Sequence, residues 1–241
     1  MKPFIFTGYR PKGGTYRSNL KSLFTWHNET LNVWSMVMVS ITAIIMLAYV
    51  CITLKPPLQA IPPFITFALA PIIHIPFSTG YHLFTPMSKK IKRQWLNLDI
   101  SFIFVGISLV IFSLSYFVFD TPLLAFVTSG AIFFSAIVIC KKAKCKKSLD
   151  KTKQALVVGG LVALLLAPIV YKACQHDPVS QMCFVGIVGS LAIGGSVYAY
   201  QLPERIWPGK FDFVVLTSDY AHICFGCLYF RVYISRKRLL G

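Results

Sequence analysis

Acidic residues are nearly missing from this sequence. Eight Asp and Glu stand among 241 residues against 24 Lys and Arg, and charged side chains of every kind make up 13%. A water-soluble globule of this length cannot coat its surface with so little charge. A chain that is 56% hydrophobic, with a mean hydropathy of +0.66, reads instead as a membrane protein. A cysteine framework is lacking too: the seven cysteines are scattered mostly through apolar runs, which excludes a secreted disulfide scaffold. The first thirty residues hold no apolar core of signal-peptide type, so the chain is expected to start uncleaved and to insert through its first spanning helix. The basic excess falls in short clusters between apolar runs, where it reports membrane orientation, and no nucleic-acid partner is expected.

A helix needs about 20 apolar residues to cross the hydrocarbon layer. Seven runs meet or approach that length: Leu31–Leu54, Ile61–Phe84, Trp95–Phe119, Leu123–Cys140, Ala155–Ala173, Met182–Tyr200 and Phe211–Ile234. The expected fold is an all-α membrane protein, a seven-transmembrane helix bundle, integral and multi-pass in the lipid bilayer. Residues 1–30 form a cytoplasmic N-terminal segment, 31–234 the bundle and 235–241 a short tail. Pro62, Pro63, Pro71 and Pro76 make the second run the least regular and predict a kink there.

Loop charges set the orientation. The segment before span one carries five Lys/Arg and the loops after spans two, four and six carry four, seven and two, eighteen in all, against five on the opposite side. The positive-inside rule therefore places the N-terminus in the cytoplasm. The basic tail Arg236, Lys237, Arg238 falls on the other side. The run from Lys141 to Lys153 reads as a positive-inside anchor between two spans.

Ionisable side chains inside a bilayer cost a few kcal/mol or more, so each one marks a candidate site. They are His74 and His82 on span two, Asp99 on span three, and Asp219 and His222 on span seven. With this orientation His82, Asp99 and His222 all fall in the cytoplasmic half, which predicts one shared polar pocket. Ser78 and His82 are four residues apart on one helical face, as are Ser218 and His222, while Asp219 and His222 are three apart. Histidines from different helices plus a carboxylate suit zinc. A hydrogen-bonded network that only positions the helices accounts for the same residues, and the two readings stay open. His74 is expected to bond a carbonyl freed by a nearby proline. His27 and Glu29, with Glu204, Arg205 and Asp212, read as an ion-pair network tying the cytoplasmic loops together. Cys174 and Cys183 flank an outer loop in which a disulfide is open to them.

The strings TGYRP at Thr7–Pro11, SLFTWHNETLNVWS at Ser22–Ser35, STGYHLF at Ser78–Phe84 and PERIWPGKFD at Pro203–Asp212 together resemble the progestin and adipoQ receptor family, which includes the haemolysin III-like proteins. The resemblance implies a seven-helix bundle with a cytoplasmic N-terminus. It also implies zinc, held in the family's zinc-binding members by one span-two histidine and an H-x-x-x-H pair on span seven, with a serine and an aspartate close by. Those positions fall on His82, Ser78, Asp99 and His222. The first histidine of the pair is replaced by Ser218, so either Asp219 completes a His82, Asp219, His222 set or the metal has been lost.

Three functions follow from the resemblance. One is a receptor or lipid sensor for a lipid or steroid-like ligand, coupled to cytoplasmic protein partners. Another is a ceramidase-type lipid amide hydrolase, with catalytic Asp99 in proton transfer and Ser78 or Ser218 at the oxyanion. The third is a non-catalytic scaffold of internal membranes. Neither the plasma membrane nor the Golgi and ER membranes are singled out.

Overall fold

The computed structural model describes residues 4–118, 122–145, 160, 166–167, 169–176 and 178–210. Among these residues there is no strand. The principal helices are α1 (Tyr16–Lys21), α2 (Thr30–Tyr49), α3 (Ile61–Phe84), α4 (Lys89–Val118), α5 (Pro122–Cys145) and α6 (Pro178–Tyr200). Three helical stretches, Thr30–Thr53, Ile61–Phe84 and Lys89–Tyr116, are long and apolar enough to cross a membrane. The run expected at 155–173 lies mostly outside the described residues, and the one at 211–234 lies wholly outside them.

Local chemistry explains the helix ends. Thr15 caps α1 reciprocally with Ser18: the Ser18 N–H donates to Thr15 Oγ1 at 3.2 Å and the Thr15 N–H donates to Ser18 Oγ at 2.9 Å. The first turn of α3 holds Pro62 and Pro63, whose missing N–H groups would have no helical partner there in any case. Pro71 and Pro76 lie inside α3, yet the helix continues through both to Phe84. α4 starts at Lys89, ahead of the apolar run at Trp95, because Ser88 Oγ accepts the Ile91 N–H at 3.2 Å and starts the helix on the polar KKIKRQ stretch. α2 ends through a wide π turn, Val50–Leu54, closed by Lys55 in the left-handed conformation (φ 43°).

α3 is the central element, packed between α2 and α4, and α5 packs on the far side of α4. α3 and α4 approach closely at Gly80, where any Cβ would fall inside the Trp95 ring, and Phe77 stacks on Phe102 at 3.6 Å and 14°. Near one end of these helices Val33, Leu83 and Phe84 form a buried cluster, with Leu23, Met87, Ile91 and Trp95 packed around it.

Polarity is distributed opposite to that of a soluble domain. Ile41, Ile44 and Ile45 on α2 and Phe126 and Phe134 on α5 face outward, while Asn32, Ser40, His74, Ser78, Ser113 and Ser115 are buried. Ser113 Oγ donates to Pro63 O at 2.7 Å across the α3–α4 interface. Polar groups bonded between helices and apolar groups turned outward suit a lipid surround. The chain is an integral membrane protein.

Replacing Gly80 with Ala should displace the Trp95 indole at a cost of about 1–3 kcal/mol, the usual scale of overpacking. Thermal melts of the purified protein in detergent should show Gly80→Ala below wild type, and Gly80→Ala with Trp95→Phe should recover part of the loss. An unchanged melting temperature in the single variant would contradict this packing.

Candidate functional site

Three polar side chains share one face of α3 at successive turns: His74, Ser78 and His82. At 1.5 Å per residue they span roughly 12 Å along the axis. Both histidines face carboxylates. His82 Nδ1 donates to Glu29 Oε2 at 2.8 Å, and His74 Nε2 lies 2.8 Å from Asp99 Oδ1 on α4. The side chains of both pairs are nearly buried. Ser78, between them, is buried as well.

The HNETLN sequence at the start of α2 builds the Glu29 side of this site. The His27 N–H donates to Thr30 Oγ1 at 2.8 Å, and the Asn28 N–H donates to Gly8 O at 2.9 Å. The Glu29 N–H donates to His27 Nδ1 at 3.1 Å, while Asn32 Nδ2 donates to Glu29 Oε2 at 2.6 Å. The Glu29 carboxylate is thus held from its own helix, one turn on, and aimed at α3.

A second grip comes from Arg10, in the chain segment before α1. Its Nη2 donates to His82 O at 2.6 Å and its Nη1 to Leu83 O at 2.9 Å and Ser22 Oγ at 2.8 Å. These carbonyls belong to the last turn of α3, which has no helical donors of its own, and a guanidinium there also complements the negative end of the helix dipole. Burial lowers the Arg10 pKa from its ordinary value, against the opposing pull of Glu29.

His27 is the most perturbed group in this cluster. Burial, then the positive charge of Arg10, lowers its pKa from 6.5 to about 4, and His82 acts in the same direction, while Glu29 and a backbone contact at Ser22 act the other way. The imidazole is therefore neutral at physiological pH. Its Nδ1 accepts from Glu29, so the proton sits on Nε2, which is buried with no hydrogen-bond partner among the described residues.

These contacts depart from the sequence reading in two places. His74 pairs with Asp99 and not with a carbonyl freed by a proline, because α3 and α4 pack with these two side chains in register. Glu29 serves His82 inside the bundle and not only a network between loops. Sequence reasoning identified the motifs that contain Arg10 and Glu29 without their partners, which lie 72 and 53 residues further along the chain. Of the expected site residues, His82, Ser78 and Asp99 are placed on α3 and α4, while Asp219 and His222 lie outside the described residues. Cys174 is a free, exposed thiol.

Among the described residues no group of three His, Cys, Asp or Glu is placed to hold a metal. His82 itself has the form of a metal ligand. With Nδ1 engaged by a carboxylate, the other ring nitrogen, Nε2, makes no hydrogen bond among the described residues.

A profile of haemolysin-III-related proteins matches residues 24–225. The chain belongs to that family. It is 26% identical over 234 residues to membrane progestin receptor alpha of Homo sapiens, covering 87% of this chain and 65% of the receptor. The same receptor from Sus scrofa is 30% identical over 231 residues, covering 87% and 64%. The adiponectin receptor protein of Drosophila melanogaster is 24% identical over 236 residues, covering 91% and 52%. The chain thus spans between about half and two thirds of the length of these relatives.

The low His27 pKa has a signed consequence. The unfolded chain takes up this proton near pH 6.5 and the folded chain only near 4, so the stability due to neutral His27 is present above about 6.5 and is lost as pH falls toward 4. Melting curves between pH 7.5 and 4.5 should fall less steeply for His27→Asn, whose amide oxygen keeps the acceptor for Glu29, than for wild type. A difference of 1 kcal/mol corresponds to roughly 2–4 °C at this size. Identical pH slopes would remove His27 as the titrating group.

Proposed function

We propose that the protein is a seven-helix membrane receptor or lipid-sensing protein. Its N-terminus faces the cytoplasm, and its polar site in the cytoplasmic half of the bundle holds zinc through His82 together with span-seven residues. One observation carries this reading: a nearly buried histidine whose Nδ1 is fixed by a carboxylate and whose Nε2 is left for a metal. His222 and Asp219 supply the other ligands, Asp219 standing in for the histidine replaced by Ser218. Bound zinc would supply a fixed positive charge that ties span seven to α3 and shapes a cavity for a lipid or steroid-like ligand. The relatives named for progestin and adiponectin point to ligand reception, with cytoplasmic protein partners as the output. The loop charges, eighteen against five, support the orientation.

The amide hydrolase is the second reading. What favours it is the nearly buried Asp99 side chain, paired with His74, and a buried Ser78 one turn along α3 from His74, the acid and hydroxyl that such chemistry asks for. Against it stands Ser218, which removes a neutral nitrogen ligand and weakens the site that hydrolysis requires.

Purified full-length protein should contain about one zinc per chain, lost in His82→Ala and in Asp219→Ala, with a fall in melting temperature each time, because a ligand bound only by the folded state stabilises it. Zinc-free wild type that gains zinc in Ser218→His would show a family member that has lost its metal. Turnover of a fluorescent ceramide that disappears in Asp99→Asn would move the assignment to the hydrolase. Glycosylation-site tags placed at the N-terminus should stay unmodified in cells, and a glycosylated N-terminal tag would overturn the orientation.

A further inference from the structure

The chain ahead of α2 turns its largest apolar side chains outward. α1 presents Tyr16 and Leu20 one turn apart on its outer face, the 3-10 turn Ser22–Phe24 carries the row on to Phe24, and Trp26 follows. Phe24 and Trp26 are 80% and 75% exposed. The inner face holds Asn19, buried with its Nδ2 donating to Thr15 O at 3.0 Å, and Leu23, four residues on, which packs against the Val33, Leu83 and Phe84 cluster. The segment is therefore fastened to the bundle with its aromatic row on the outside.

That row continues a surface already turned toward lipid. Trp34, Met38, Ile41 and Ile45 form an outward stripe of α2 at four-, three- and four-residue steps, and all four are exposed. Trp34 Nε1 donates to Leu23 O at 3.1 Å, so the stripe runs onto the turn that carries Phe24. The stretch Thr30–Thr53 has 24 residues, roughly 36 Å of helix. The hydrocarbon layer is about 30 Å thick, which leaves the ends of this span among the headgroups.

Cations border the same row. Arg17 and Lys21 on α1 are exposed, and the Gly13 N–H, donating to Pro86 O at 2.8 Å, brings α1 beside the start of α4, where Lys89, Lys90 and Lys92 are exposed too. Glu29, which is buried, is the only Asp or Glu in residues 1–98. Aromatic rings edged by Lys and Arg make up an in-plane membrane anchor: the rings enter the boundary of the acyl chains, and the cations meet headgroup phosphates.

We propose that residues 16–26 lie in the plane of the bilayer surface, with Phe24 and Trp26 inserted among the lipids and Arg17, Lys21, Lys89, Lys90 and Lys92 bound to anionic headgroups. The proposal needs neither zinc nor a choice of membrane side. These basic residues then do more than set orientation, because they select one class of lipid over another.

The test uses the full chain reconstituted in vesicles of equal parts phosphatidylcholine and phosphatidylserine. Tryptophan emission of wild type is compared with that of Trp26→Phe, so that the difference belongs to Trp26. That difference should be quenched by lipids brominated high on the acyl chain and protected from acrylamide in the water. Quenching by acrylamide alone would leave Trp26 in water, and quenching by neither would mean that protein, a second copy included, covers the row; both results overturn the proposal. Should Trp26→Phe fail to fold, Phe24→Trp gives the same reading with wild type as its blank. Headgroup selection is read from spin-labelled phosphatidylserine against spin-labelled phosphatidylcholine. Wild type should retain the anionic lipid several-fold more, Lys21→Gln and Lys90→Gln should each lower that preference by up to about 5-fold, and high salt should erase it. Equal retention of the two lipids by wild type, or a preference that survives Lys21→Gln, Lys89→Gln, Lys90→Gln and Lys92→Gln combined, refutes the anionic-lipid surface.

Discussion

One hydrogen bond, between the Glu29 carboxylate and the His82 imidazole, joins the start of α2 to the end of α3 across 53 residues of chain. Both side chains are nearly buried, where water solvates neither fully, so each needs the other, and that need fixes which faces of the two helices meet. Much around it follows from the pairing. Asn32 sits one turn along α2 because the carboxylate requires a second donor, and His27 stands buried behind that same residue, kept neutral by its burial and by the charge of Arg10 against the pull of Glu29. The apolar cluster of Val33, Leu83 and Phe84 packs beside the pair, using the residues that flank its members in sequence.

The His74–Asp99 pair does for α3 and α4 what Glu29–His82 does for α2 and α3. Together they make α3 a polar seam with one partner on each neighbour. Small-residue and aromatic packing completes the α3–α4 contact: Gly80 receives the Trp95 ring, a Cβ added at Gly106 would stand 3.5 Å from Ala70 O, and Phe77 stacks on Phe102. Removing one partner of a buried hydrogen bond leaves the other unsatisfied, at a typical cost of about 1–3 kcal/mol. These two pairs therefore act as register marks that a slip of one helix along another would violate.

Much of this was legible in the residues. The run Ile61–Phe84 coincides with α3, because apolar length and the Pro62–Pro63 entry both act locally. The start of α4 was misplaced by six residues, since the apolar count ignored a serine cap that lets a basic stretch join the helix. The family was readable from its motifs, whose matched region reaches from the loop before α2 to residue 225. The partners were not readable. Helical periodicity assigns His74 and His82 to one face but says nothing about which acid arrives from another helix, and that depends on how α2, α3 and α4 dock. A histidine near prolines invited a local backbone partner, and a carboxylate 25 residues away took it.

Arg10 caps carbonyls that lie 72 and 73 residues after it. The order of synthesis and the order of assembly are therefore opposed at this end of the molecule. The segment ahead of α2 has no carbonyls for Arg10 to grip until α3 has been made and its last turn has come to lie beside it. A segment made before α3 is thus secured only after it, and its docking reports that α2 and α3 have reached their mutual arrangement.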